Sequence, residues 1–210
     1  MEQSHFNNAD IIRRMALCVK VALLAAVLGC RGSSSQMTAD SELALLLAKP
    51  DTRQKAIAEI LVAKGTKIPL MLSWTRTPPP GLSPLDQYQL KMGLAEAFGQ
   101  LRAKEGIPFL IQNLTLNRFP ATNVWARPPE VILDRLPAVA ALIEIGPESS
   151  IALMDAWQRM TVEDRPAAIF VLSRVPGVPK ARDYLHTALG EASLQRTLAE
   201  EGLKLLEGHP

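Results

Sequence analysis

Cys18 and Cys30 are the only thiols in a chain of 210 residues, and both lie before position 31. The rest of the sequence therefore has no material for a thiolate nucleophile, a disulfide framework or a cysteine zinc site. The three histidines, His5, His186 and His209, are scattered through leader, helix and tail, a spacing that argues against a histidine-rich metal centre. His186 follows Arg182 by one helical turn, so its protonation would meet a guanidinium, and a surface or partly packed imidazole is expected rather than a base. Glu144, Glu148 and Asp155 gather around one turn and have the chemistry for acid–base work. Solvation of helix ends is the plainer role, and Glu148, just after Pro147, suits the positive N-terminus of a helix. HExxH, GxSxG and glycine-rich phosphate motifs are absent from the sequence. No catalytic residue, metal ligand or cofactor is expected, and the chain reads as a non-enzyme.

Charge narrows the partners. The formal net charge is +2, and removing everything before Cys30 takes away Arg13, Arg14 and Lys20 against Glu2 and Asp10, leaving +1. Mixed signs without a basic stripe do not provide the footprint that a nucleic acid requires. With 48% hydrophobic residues the chain suits one globular domain with a substantial core.

The apolar run Val21–Leu28 ends at a cysteine, and Arg13, Arg14 and Lys20 supply a basic region around its start. This pattern predicts an export signal over 1–29, since a bilayer-spanning helix takes about 20 apolar residues. The tetrad VLGC, Val27 to Cys30, resembles the lipobox of bacterial lipoproteins. The resemblance implies cleavage between Gly29 and Cys30, lipidation of Cys30 and attachment to an envelope membrane, facing the periplasm or the exterior. Each buried methylene of such a lipid is worth about 0.8 kcal/mol, and stable anchoring takes two or more chains. The polar stretch after Cys30, within 30–40, then serves as a tether of roughly 30 Å when extended. The alternative is a cleaved secretory signal, or a buried first helix, with an incidental cysteine. Met15 is an alternative start that leaves the processed chain unchanged.

Any site in the remainder must be positioned by helices. Over 41–210 the apolar pattern is helical, without an alternating run long enough for a sheet. Lys91–Leu114, KMGLAEAFGQLRAKEGIPFLIQNL, predicts one helix with Leu94, Ala97, Phe98 and Leu101 inward, then a turn, then a second helix opened by Pro108 with Leu110, Ile111 and Leu114 inward. The same plan recurs in Ala56–Trp74, with Pro69, in Ala138–Trp157, with Gly146 and Pro147, and more loosely in Ala167–Leu189, with Pro176 and Gly177. The copies are roughly 30 to 44 residues apart, in the range of helical-pair repeats. They resemble HEAT repeats, and IPFLIQNL is the element closest to that family's second helix. The resemblance covers about Asp51 to Leu189 and implies an all-α solenoid of four antiparallel helical pairs.

Helices around Ser41–Lys49 and Ala192–Leu206 are expected to cap the array. Ser83 with Pro84, Thr161 with Asp164, and Asp51 are the expected helix starts. A helix is drawn over Glu130–Ile145, kinked or beginning late because of Pro137. The linkers TRTPPPGLSP and TLNRFPATNVWARPP are longer than a tight solenoid needs.

Partner-binding candidates follow from the pairs. Ser73, Phe109, Gln112, Asn113, Asp155 and Thr187 on the second helices are expected to point away from the core, along the row that lines the inner surface of related solenoids. Trp125 and Arg127, in the longest linker with Phe119, have the composition of an interface anchor. A loop tucked over apolar helix ends is the competing reading, and the same choice applies to Trp74. Trp157 is expected in the core, and Pro78–Pro80 as a rigid spacer. The expectation is a membrane-anchored adaptor or scaffold that binds an unknown protein partner in the cell envelope. The alternatives are a cofactor-handling protein resembling the HEAT-like bilin lyase subunits, or a structural assembly factor.

Overall fold

The computed structural model describes residues 39–63, 65–119 and 124–177, with single helical positions at 179, 180, 183, 186 and 200. The chain divides into two compact units, Met1–Leu43 and Ala44–Pro210, and the packing described here is internal to the second. The fold is all-α, with no strand among the described residues. Helix α1 covers 39–48. It is followed by α2 (Arg53–Val62), α3 (Ile68–Arg76), α4 (Pro84–Gln100), α5 (Ile107–Ile111), α6 (Pro129–Arg135), α7 (Pro137–Ile145), α8 (Pro147–Ala156) and α9 (Arg165–Leu172).

Proline recurs in the first turn of α3, α4, α5, α6, α7, α8 and α9, where its missing N–H would have had no intrahelical partner. Ser83 caps α4 by accepting the amide of Asp86 at 3.1 Å, while its own hydroxyl donates to the Asp86 carboxylate. The far end of α4 closes with Ala103 N–H donating to the Phe98 carbonyl and Arg102 N–H to Gly99, around Arg102 at φ 49°. This is the Schellman pattern with an arginine in the left-handed position that glycine usually takes. Gly146, at φ 93°, makes the corner between α7 and α8.

The first helices of the repeats, α2, α4, α7 and α9, pack each against the next, with α4 on α7 the most extensive contact. The second helices α5 and α8 pack on one another, and α5 also lies on α7. Among the described residues the pairs α2–α3, α4–α5 and α7–α8 thus pack against neighbouring pairs, which is consistent with a helical-repeat arrangement. Helix α4 sits between α2 and α7, so Leu90, Met92, Leu94, Ala95, Ala97 and Phe98 are all buried, covering most of its circumference. Gly99 allows the close approach to α7: a Cβ there would lie 2.8 Å from the Ala141 Cα.

Four expectations need correction. Over 130–145 the late start holds, since Leu136 leaves helical geometry at φ −111°, ψ 81° and Pro137 opens α7, but Pro129–Arg135 forms a separate helix, α6, before it. Asp51 does not start α2: Thr52 precedes its first residue, and the Thr52 hydroxyl donates to the Leu46 carbonyl instead of capping. The Thr161–Asp164 exchange forms, with the Asp164 amide donating to the Thr161 hydroxyl at 3.3 Å, but α9 begins only at Arg165, so it closes a preceding turn. The second helix of the second repeat is a five-residue segment, and Leu114 reaches the core from the turns that follow it. The leader with Cys30, Tyr184, Leu185, Thr187 and, apart from position 200, the expected cap at 192–206 lie outside the described residues.

Candidate functional site

Among the described residues, the row expected on the second helices is divided by the fold. Phe109 points inward, contrary to expectation: it is 7% exposed, and its ring lies 5.9 Å from that of Phe98 at 58°. The reason is the brevity of α5, which turns Phe109 and Leu110 together toward α4 and α7. Asn113 donates its side-chain amide to the Phe109 carbonyl at 2.8 Å and so ties down the end of this turn. Ser73 is exposed, with its hydroxyl donating to the Leu70 carbonyl.

Gln112 and Asp155 come together. They line a groove of about 620 Å³ between α5 and α8, continued by Arg159, Met160 and Asp164. Ala152, Asp155 and Ala156 of α8 share one helical face and supply one wall, which Arg159 extends from the 3₁₀ turn that follows. Ile107, Pro108, Ile111 and Gln112 supply the other. The two alanines leave depth, and the nearly buried Ile107 and Met160 make an apolar lining.

Asp164 apart, the polar side chains at this groove have no hydrogen-bond or ion-pair partner among the described residues. Asp155 and Arg159 are both exposed, and neither forms a hydrogen bond or ion pair with a described residue. Their spacing of four, acid before base, is the one that favours pairing on a continuous α-helix. Here α8 ends at Ala156 and tightens into a 3₁₀ turn over Trp157–Arg159, whose three-residue period carries Arg159 off the Asp155 row. The Gln112 side-chain amide is likewise unbonded among the described residues. Asp164 is already engaged by the Thr161 hydroxyl at 2.8 Å.

Trp125 and Arg127 belong elsewhere. Trp125 stands in a 3₁₀ turn over Val124–Ala126, half-buried, with its ring 6.3 Å from Phe170 of α9. It covers α9, as the tucked-loop reading has it, while Arg127 is exposed. Phe119 is separated from Trp125 and lies under the Arg135 guanidinium at 5.4 Å. Trp74 and Trp157 are both core residues, 5% and 3% exposed.

The carboxylate trio is dispersed. Glu148 pairs with Lys104, whose hydrogen bond holds its carboxyl below the usual range. Glu144 lies beside a second pocket with Glu96, Gln100 and Arg118, where burial raises its carboxyl pKa and Arg102 opposes that shift. Asp155 is in the groove. Among the described residues, no group of three or more His, Cys, Asp or Glu side chains is placed to hold a metal ion.

Sequence reasoning missed one polar network. Arg53 is 2% exposed and donates from Nε to the Leu47 carbonyl at 3.1 Å, from Nη1 to Glu96 at 3.1 Å, and from Nη2 to Gln89 Oε1 at 2.8 Å. Arg118 donates to the same Glu96 oxygen at 2.9 Å, and Gln54 to its other oxygen at 3.2 Å. Burial lowers the Arg53 pKa, and Glu96 acts against that shift. The signal was in the sequence: Arg53 stands on the apolar row of Ala56, Ile57 and Ile60. The network fastens α2 and the 115–119 linker to α4.

The chain matches no protein-family model, no curated protein and no solved structure.

Proposed function

We propose that this chain is a lipid-anchored, HEAT-like adaptor of the bacterial cell envelope, held to a membrane through Cys30 and binding another protein through its helical pairs. The observation that carries the reading is the groove between α5 and α8, where Gln112, Asp155 and Arg159 have no hydrogen-bond or ion-pair partner among the described residues. The VLGC tetrad supports the anchor, and the succession of α2, α4, α7 and α9 supports the assignment to the HEAT class. The surface performs recognition rather than chemistry.

The test is crosslinking in cells followed by capture from membranes, with wild type compared against Cys30→Ser. One protein is expected to crosslink to the wild-type chain and to be lost with the anchor. Equal capture by both chains removes membrane position from the mechanism, and capture by neither removes the adaptor reading. A second reading, cofactor handling as in the bilin lyase subunits, draws on the groove's volume, which falls within the roughly 300–1,000 Å³ of ligand sites. Titration with a linear tetrapyrrole would then shift the pigment's absorption spectrum.

A further inference from the structure

The geometry points to a short segment of a partner protein as the occupant of the α5–α8 groove: aliphatic side chains on the apolar lining, a basic side chain on Asp155 and an acidic one on Arg159. This rests on the adaptor reading and specifies its partner's chemistry. Charge complementarity carries it. Among the described residues the Asp155 carboxylate and the Arg159 guanidinium are both unpaired and border the same apolar trough, one at the end of α8 and one in the 3₁₀ turn after it, beside the Asp164 carboxylate that the Thr161 hydroxyl already engages. A partner that answers both must carry both signs.

The apolar part follows from Ile107, Ile111 and Met160, which line the trough. Burying aliphatic groups there contributes affinity at about 25 cal/mol per Å² before the costs of association. The two charges then set orientation and exclude partners of uniform charge. Gln112 adds a donor and an acceptor on the opposite wall, the pair of functions that a peptide group presents in return.

The experiment is selection of a phage-displayed random dodecapeptide library on the purified full chain, repeated on Asp155→Lys and Arg159→Glu. Both side chains are exposed and unpaired, so the variants should keep the wild-type circular dichroism and melting profile. Wild type is expected to enrich peptides with aliphatic residues beside one basic and one acidic residue. Those peptides should lose about tenfold in affinity on Asp155→Lys, and the pool selected on that variant should turn acidic. A purely structural role for Asp155 would not change the charge of the selected pool. Failure of wild type to enrich any peptide, or enrichment indifferent to both variants, overturns the proposal. An envelope partner captured in cells that still binds Asp155→Lys would overturn the groove assignment while leaving the adaptor reading in place.

Discussion

Arg53 is the only buried charged residue among the described residues. Its guanidinium is enclosed and is answered by Glu96, Gln89 and a backbone carbonyl. Removing one member of a buried ion pair leaves the other desolvated and unanswered, at a cost of about 3–5 kcal/mol. Arg53→Met should therefore lower stability by about 3 kcal/mol in urea denaturation, with Arg118 holding part of the Glu96 charge. Glu144 makes a prediction of opposite character. Burial raises its carboxyl pKa in the folded chain, so the folded state binds the proton more tightly than the unfolded one. The resulting stability is present at low pH and is lost as pH rises from the ordinary carboxylate value, about 4.3, through the raised one. Glu144→Gln should remove that falling component and leave the variant relatively more stable at neutral pH, as read from melting temperatures across the acid range. The apolar row of α2 marked Arg53 as a residue to bury without showing its partners, and no local pattern marked Glu144 for burial. Residue type tells what a group can do, while enclosure depends on which helix lies over it.

At the scale of elements, proline and capping chemistry explain why most boundaries could be read. The Ser83–Pro84 start of α4 and the Gly146–Pro147 corner are local events, decided within four residues of chain, and they lie where expected. Pro137 acted more strongly than a kink, because the residue before a proline is pushed out of helical geometry, and Leu136 followed that preference. Phe109 was misread for a different reason. Its apolar period presumes a longer helix, and α5 stops after five residues. Contact between elements is where a small change should matter most. Gly99→Ala would gain about 1 kcal/mol in helix propensity. It would also drive a methyl group against the backbone of Ala141, which cannot turn aside as a side chain could. Overpacking of this kind costs about 1–3 kcal/mol. We expect a net loss and a melting temperature lower by about 2–4 °C.

Considered as a whole molecule, the stack of α2, α4, α7 and α9 accounts for how a chain with small helices has a continuous core: no pair closes its apolar face alone. The order of the pairs also places the groove, since α5 and α8 come from successive helical pairs and meet where α4 packs on α7. A partner bound there would contact two pairs at once. Lipid attachment at Cys30 would confine that encounter to a membrane surface, and the Cys30→Ser comparison tests this. By itself the sequence determined the helical class, the paired plan and most helix starts, because periodicity, proline and capping act over a few residues. It also contained the VLGC tetrad, whose chemistry depends on no fold. Only the tertiary structure decided that Phe109 is core, that Trp125 covers α9, that Arg53 is enclosed, and that Gln112 and Asp155 face one groove. Those outcomes depend on the approach of helices distant in sequence, and a local pattern shows which face is apolar without showing which neighbour will cover it.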